Sequence, residues 1–133
     1  MNDLAAARAA YNRDAVLSAS PARLLTMLYD RLLLDLQRAE AAQAAQKWDV
    51  ASQNLMHAQA IVGELAASLK PELWEGGDGL LALYQYVTRS LVNANVHRAA
   101  ERTRECIALL EPLRAAWHEA AGATPATPVR AFA

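Results

Sequence analysis

His57, His97 and His118 are the side chains through which this chain would hold a metal or move a proton, and their spacing supports neither. A di-iron bundle places a Glu three residues before each ligating His. Asn54, Ala94 and Ala115 occupy those positions. No two histidines stand four apart, so the zincin helix is absent as well. Each histidine reads as a surface or partly buried side chain. Gly76-Gly77-Asp78-Gly79 would cradle a phosphate only after a strand and with a P-loop lysine, and it has neither. Ser18 and Ser20 have no base beside them, and helix capping accounts for Ser20. The carboxylates spread along polar faces rather than pairing. This leaves no constellation for acid–base, nucleophilic or metal catalysis. The sequence therefore predicts no enzyme, no cofactor and no metal site.

The charge pattern narrows the partners. Formal net charge is −1, so no global basic field exists to hold a nucleic-acid backbone. Arg98, Arg102 and Arg104 cluster, but Glu101 and Glu105 interleave with them, which is the pattern of a solvated helix face. The single cysteine, Cys106, cannot form an internal disulfide and reads as a small core residue. The first residues lack a continuous apolar run of the signal-peptide kind. No uncharged apolar stretch is long enough to insert into a membrane. A cytoplasmic location is expected.

The elements that must position any site are helical. The chain has 133 residues, one domain by length, and 54% of them are hydrophobic, with five Gly and five Pro. Valines and aromatics are too few and scattered for a sheet. Residues 1–17, with Leu4, Tyr11, Val16 and Leu17 as the apolar positions, read as a short N-terminal helix or arm. Ser20-Pro21 is a helix start, Ser as cap and Pro in the first turn. The first long helix is expected over 21–45. Asp49 is expected to cap a second over 50–69, where Leu55, Ala58, Val62, Leu65 and Leu69 recur at the spacing of a bundle seam. Pro71 ends it by disfavouring the α region at Lys70. Asp78 is expected to cap a third helix over 79–96. No Gly or Pro stands between residues 93 and 105, so the next break is placed at Asn93-Ala94-Asn95. A fourth helix follows over 100–121, with Pro112 inside it and Gly122 as its stop. The Ala/Thr/Pro-rich tail is expected to be disordered. These segments make an all-α fold: an antiparallel up-down four-helix bundle over 18–121, between an arm at 1–17 and a tail at 122–133. Trp48, Trp74 and Trp117 are expected to plug the bundle ends.

The first long helix carries surplus apolar surface. Leu24, Leu25, Met27, Leu28, Tyr29, Leu32, Leu33, Leu34 and Leu36 cover more than half of its perimeter, whereas a surface helix needs a stripe of somewhat over ~100°. The third helix spreads Leu81, Tyr84, Leu91 and Val92 over more than one face. Such a surplus is covered by a second copy of the chain or by another protein's helix. Tyr11, Tyr29, Tyr84 and Tyr86 suit an interface, and equally a core with satisfied hydroxyls.

The pattern resembles the FliS family, the flagellin-specific export chaperones of the bacterial flagellum. The resemblance rests on Tyr11 with Val16, SASPARLLTMLYD at 18–30 and KWDVASQNLMHAQAIVGELAASL at 47–69. GLLALYQYVTRSLVNANV at 79–96 and LLEPLRAAW at 109–117 follow in the family's order. Arg31 stands where the family usually continues MLYD with Gly. Ala99-Ala100 replace an Asp-Pro-like helix start.

The resemblance implies a cytoplasmic chaperone that binds the C-terminal segment of flagellin, disordered before assembly and helical in the filament. It would block premature polymerisation and deliver flagellin to the cytoplasmic domain of the type III export gate, FlhA. A disordered client pays ordering entropy on binding, which calls for a large apolar groove. About 2,000 Å² at roughly 25 cal/mol per Å² gives the gross drive, of which only the surplus appears as affinity. Tyr11 and its arm would lie over the groove when flagellin is absent. Leu28, Leu32, Tyr84, Leu91, Asn93 and Asn95 are the expected groove residues, the two asparagines bonding client backbone or capping helix ends. The competing readings are a self-associating structural bundle, with a homodimer as the free state, and an adaptor for another exported protein.

Overall fold

Ser20 opens the first long helix as expected: its Oγ accepts a bond from the Arg23 N–H at 3.2 Å, and Pro21 occupies the first turn. The structure, a computed structural model, describes residues 4–7, 10 and 20–123. Residues 4–7 and 10 are helical and exposed. Tyr11, Val16 and the tail beyond residue 123 lie outside the described residues. The long helices are α1 (Pro21–Ala44), α2 (Trp48–Ser68), α3 (Gly77–Val96) and α4 (Ala100–Ala123), with a 3-10 turn at Pro71–Leu73. Helix α1 packs on α2 and α4, and α3 packs on α2 and α4. Three-residue links from α1 to α2 and from α3 to α4 force antiparallel neighbours, which gives the up-down bundle.

Three expected boundaries move, each for a local reason. The cap of α2 is Lys47, which makes no side-chain cap bond; Asp49 sits inside the first turn, where its charge meets the positive end of the helix dipole. Helix α3 starts at Gly77 with Gly76 as cap, so Asp78 is also a first-turn residue rather than a cap. Helix α4 runs through Gly122 to Ala123 instead of stopping before it, and carries Pro112 within.

Both tight turns close without glycine. After α1, Gln46 takes φ 58° while the Lys47 N–H reaches Ala42 O at 2.8 Å. After α3, Arg98 takes φ 52° while the Ala99 N–H reaches Ala94 O at 3.0 Å. These are Schellman caps with Gln and Arg at the left-handed position that glycine usually fills. The α3 helix thus ends at Val96, its expected last residue, while Asn93-Ala94-Asn95, the expected break, is still helical. The two turns share one end of the bundle. There the Arg98 guanidinium lies 4.8 Å from the centre of the Trp48 ring, an attraction that offsets part of the left-handed strain.

At the other end the glycines answer to packing. A Cβ on Gly77 would lie 2.5 Å from Pro71 Cα and 2.6 Å from Pro71 O. Gly79, one half-turn on, has nothing within 4 Å of such an atom. Gly77→Ala is expected to destabilise the protein by about 1–3 kcal/mol because backbone atoms must shift. Gly79→Ala is expected to be neutral or to stabilise by up to ~1 kcal/mol, the helix gain over glycine. Thermal melts of the two variants check this. Equal melting temperatures would show that the Pro71 turn does not pack on α3.

Candidate functional site

The centre of the bundle is closed. Leu32, Leu36, Leu55, Val62, Val87, Leu91 and Leu110 are fully buried. Tyr29 and Tyr84 meet hydroxyl to hydroxyl at 2.6 Å across the bundle diagonal. Burial pushes both phenols above their ordinary pKa, so the pair is a neutral hydrogen bond. The Trp117 ring packs on Tyr29 with centroids 6.3 Å apart. Burial, with the Glu105 charge beside it, pushes the Cys106 thiol up to about 12, so it is an unreactive core group.

This corrects three of the expected groove residues. Leu32, Tyr84 and Leu91 are 0–1% exposed and belong to the core. Their helices present those positions to the interior because α1 and α3 are each covered on two flanks by α2 and α4. Most of the apolar surplus on α1 is absorbed the same way: Leu25, Leu33 and Leu36 are buried and Leu24, Met27 and Leu28 half-buried. Asn93 and Asn95 are half-buried on α3. Asn95 lines a cleft of about 220 Å³ together with Trp48, Asp49, Ser52 and Arg98. Asn93 lies two residues away, outside that lining.

The seams of α1 are tied by charge. Between α1 and α2, His57 Nδ1 hydrogen-bonds Asp35 Oδ2; within α1, Arg31 Nε donates to the other carboxylate oxygen, Asp35 Oδ1, at 3.0 Å. The Asp35 side chain is only 1% exposed. Between α1 and α4, Arg114 Nε and His118 Nε2 reach Asp30 Oδ1 at 2.7 and 2.6 Å. Partial burial raises the Asp30 pKa, but its bonds to His118 and Arg114 and their charges together outweigh that and hold it below the ordinary value. Arg104 and Glu40 add a looser pair at 3.8 Å. Across the α3–α4 seam Tyr86 OH donates to Glu105 at 2.7 Å, and Ser90 hydrogen-bonds the Cys106 thiol. The Asp35 cluster was not anticipated. Its sequence signal is an acidic residue set at helical spacing among Leu28, Leu32 and Ala39 on an otherwise apolar face.

The flank between α2 and α3 is different. Its orientation follows from the geometry just given: His57 turns one side of α2 toward α1, Tyr86 turns one side of α3 toward α4, and Ser52 and Asn95 line one cleft on the remaining sides. Along that flank α2 presents Met56, Gln59, Gly63 and Ala66, and α3 presents Leu81, Thr88, Val92 and Asn95. Met56, Val92 and Val96 are 60%, 44% and 67% exposed, so large apolar groups face solvent here. Among the described residues no ion pair spans it, no cluster of three or more metal-type ligands forms anywhere, and no helix is long and apolar enough to cross a membrane.

A four-helix bundle whose polar pairs stitch helices together, and which leaves large apolar side chains such as Met56, Val92 and Val96 facing solvent, has the architecture of a helical binding protein. The family profile described as flagellar protein FliS matches residues 3–124. The flagellar secretion chaperone FliS of Bacillus subtilis (strain 168) is 31% identical over 111 residues, covering 84% of this chain and 83% of that protein. The flagellar secretion chaperone FliS of Escherichia coli (strain K12) is 34% identical over 108 residues, covering 80% and 79%. A crystal structure of a flagellar chaperone from bacteria superposes with a TM-score of 0.69 at 19% identity, over 85% of this chain and 95% of that one, and shows the same fold. The chain belongs to the FliS family. As a member it is a flagellar secretion chaperone and not an enzyme.

Proposed function

We propose that this chaperone acts in the cytoplasm, binds the C-terminal segment of flagellin, keeps it from polymerising and hands it to the cytoplasmic domain of the export gate FlhA. The observation that carries this reading is the run of solvent-facing apolar side chains, Met56, Val92 and Val96, on a member of the FliS family whose core is already full. A client that is disordered when free gains its binding energy by burying apolar surface, and such a run supplies it without nucleotide or metal. The half-buried Leu28, Asn93 and Asn95 are the expected groove residues that a client can still reach. Tyr11, with the arm around it, is assigned the role of covering the binding surface until flagellin arrives.

Calorimetric titration with a flagellin C-terminal peptide tests the reading. One-to-one binding with a clearly negative heat-capacity change is expected, the signature of apolar burial coupled to folding of the peptide. Absence of binding at high peptide concentration, together with a stable dimer indifferent to the peptide, would favour the self-associating alternative instead.

A further inference from the structure

We infer that the cleft beside Trp48 binds a primary carboxamide, the group carried by glutamine and asparagine side chains and by free glutamine. The cleft lies where the last turn of α1, the first turns of α2 and the last turn of α3 meet. Gln43 is the residue that calls for a ligand there. It lines the cleft, yet it is only 4% exposed. An amide so buried is costly unless both its ends are bonded. One end is: Nε2 donates to Ala94 O at 3.4 Å. A carbonyl only accepts, so the amide cannot be turned round. Its Oε1 is left with no hydrogen-bond partner among the described residues. What it lacks is a donor. One ordered water would supply that, but the cleft's volume of about 220 Å³ is several times the ~30 Å³ share of a single water molecule.

Charge at the mouth narrows the ligand. Asp49 and Arg98 both line the cleft, both are exposed, and their charges oppose each other. An anion would meet the Asp49 carboxylate and the unbonded Gln43 oxygen. A cation would meet Arg98, whose guanidinium already covers the Trp48 ring. A neutral group that both donates and accepts avoids each penalty. A primary carboxamide has two N–H donors and one carbonyl acceptor. The donors match Gln43 Oε1 and the Asp49 carboxylate, and the carbonyl matches the half-buried Asn95 amide. A hydroxyl has one proton and serves one of the two acceptors. The ligand's apolar stem packs on Leu55, which also lines the cleft. Recognition of this group does not depend on flagellin being the client.

The test follows the Trp48 indole and the Asn95 side-chain amide of the full chain by NMR as propionamide is added. Propionate, of the same shape but without an N–H, is the comparison. Propionamide is expected to give saturable shifts confined to the cleft. Propionate is expected to bind at least ~tenfold more weakly, the worth of one buried hydrogen bond. Gln43→Met keeps the side chain's length and removes both polar ends. It is expected to abolish the propionamide shifts while the melting temperature holds or rises, because an unbonded buried oxygen has gone. Asn95→Ala, in the half-buried wall, is expected to weaken binding severalfold, and it decides the matter if Gln43→Met melts early. Free L-glutamine and the peptide acetyl-Ala-Gln-Ala-N-methylamide separate the two sources. Tighter binding of the peptide assigns the cleft to a side chain of a partner protein, and tighter binding of the amino acid assigns it to a free small molecule. If propionamide leaves the cleft resonances unmoved, if propionate binds equally well, or if both variants bind like the parent protein, the inference is overturned: Gln43 is then a tie between α1 and α3 with only water beside it.

Discussion

Tyr84→Ala is expected to cost about 3–5 kcal/mol of folding stability, the range for truncating a fully buried aromatic side chain. Two effects add. The ring is 1% exposed at the centre of the bundle, so its loss leaves a cavity that the surrounding Leu and Val side chains cannot collapse into. The Tyr29 hydroxyl also loses the partner it meets at 2.6 Å. Tyr84→Phe isolates the second effect. It keeps the ring and leaves the Tyr29 hydroxyl only its bond to Trp117, for an expected loss of about 1 kcal/mol. The Tyr29→Phe/Tyr84→Phe double variant should lose less than the sum of the two singles, because no orphaned hydroxyl remains. Urea denaturation of the four proteins reads this directly. The Phe variants should bind a flagellin peptide as the unsubstituted protein does. A Tyr84→Ala protein that unfolds at the wild-type midpoint but no longer binds peptide would return Tyr84 to the client surface.

The contrast between Tyr84 and Val92 shows what helical spacing can and cannot reveal. Periodicity placed four helices close to where they lie, because Leu55, Ala58, Val62 and Leu65 recur at 3–4 spacing only if α2 has a single inward face. It could not assign the surplus on α1 to core or groove. Leu32 and Leu33 face different directions on the helix, and both are buried, because α2 and α4 cover α1 from two sides. That is a tertiary fact with no local trace. The α3–α4 boundary falls between residues 96 and 100, where the expected helices leave it, but the residue that turns the chain has no local signal. That residue is Arg98, an unlikely left-handed residue by its own preferences, held there by a capping bond to Ala94 and by the Trp48 ring some fifty residues earlier. Of the solvent-facing apolar residues, Val92 already belongs to the apolar surplus of the third helix, whereas Met56 and Val96 read as ordinary bundle positions until the fold exposes them.

The Asp35 cluster yields the second large effect, and its direction depends on which partner is removed. The Asp35 side chain is 1% exposed, whereas Arg31 and His57 are 52% and 51% exposed. The desolvation penalty therefore falls on the carboxylate, and its partners sit where water can take them back. Removing both partners in an Arg31→Met/His57→Leu variant leaves a buried carboxylate without compensation, and a loss of about 3–5 kcal/mol is expected. Removing the carboxylate instead, in Asp35→Leu, frees the half-exposed Arg31 and His57 side chains and fills the space with apolar volume; the expected outcome is no loss, or a gain of up to ~2 kcal/mol. Adding Asp35→Leu to the double variant should then restore most of the lost stability. Chemical denaturation at neutral pH measures all three. If Asp35→Leu alone proves as damaging as the double variant, the bonds to Arg31 and His57 outweigh the burial of the charge, and the α1–α2 seam owes its strength to that ion pair rather than to the leucines packed around it.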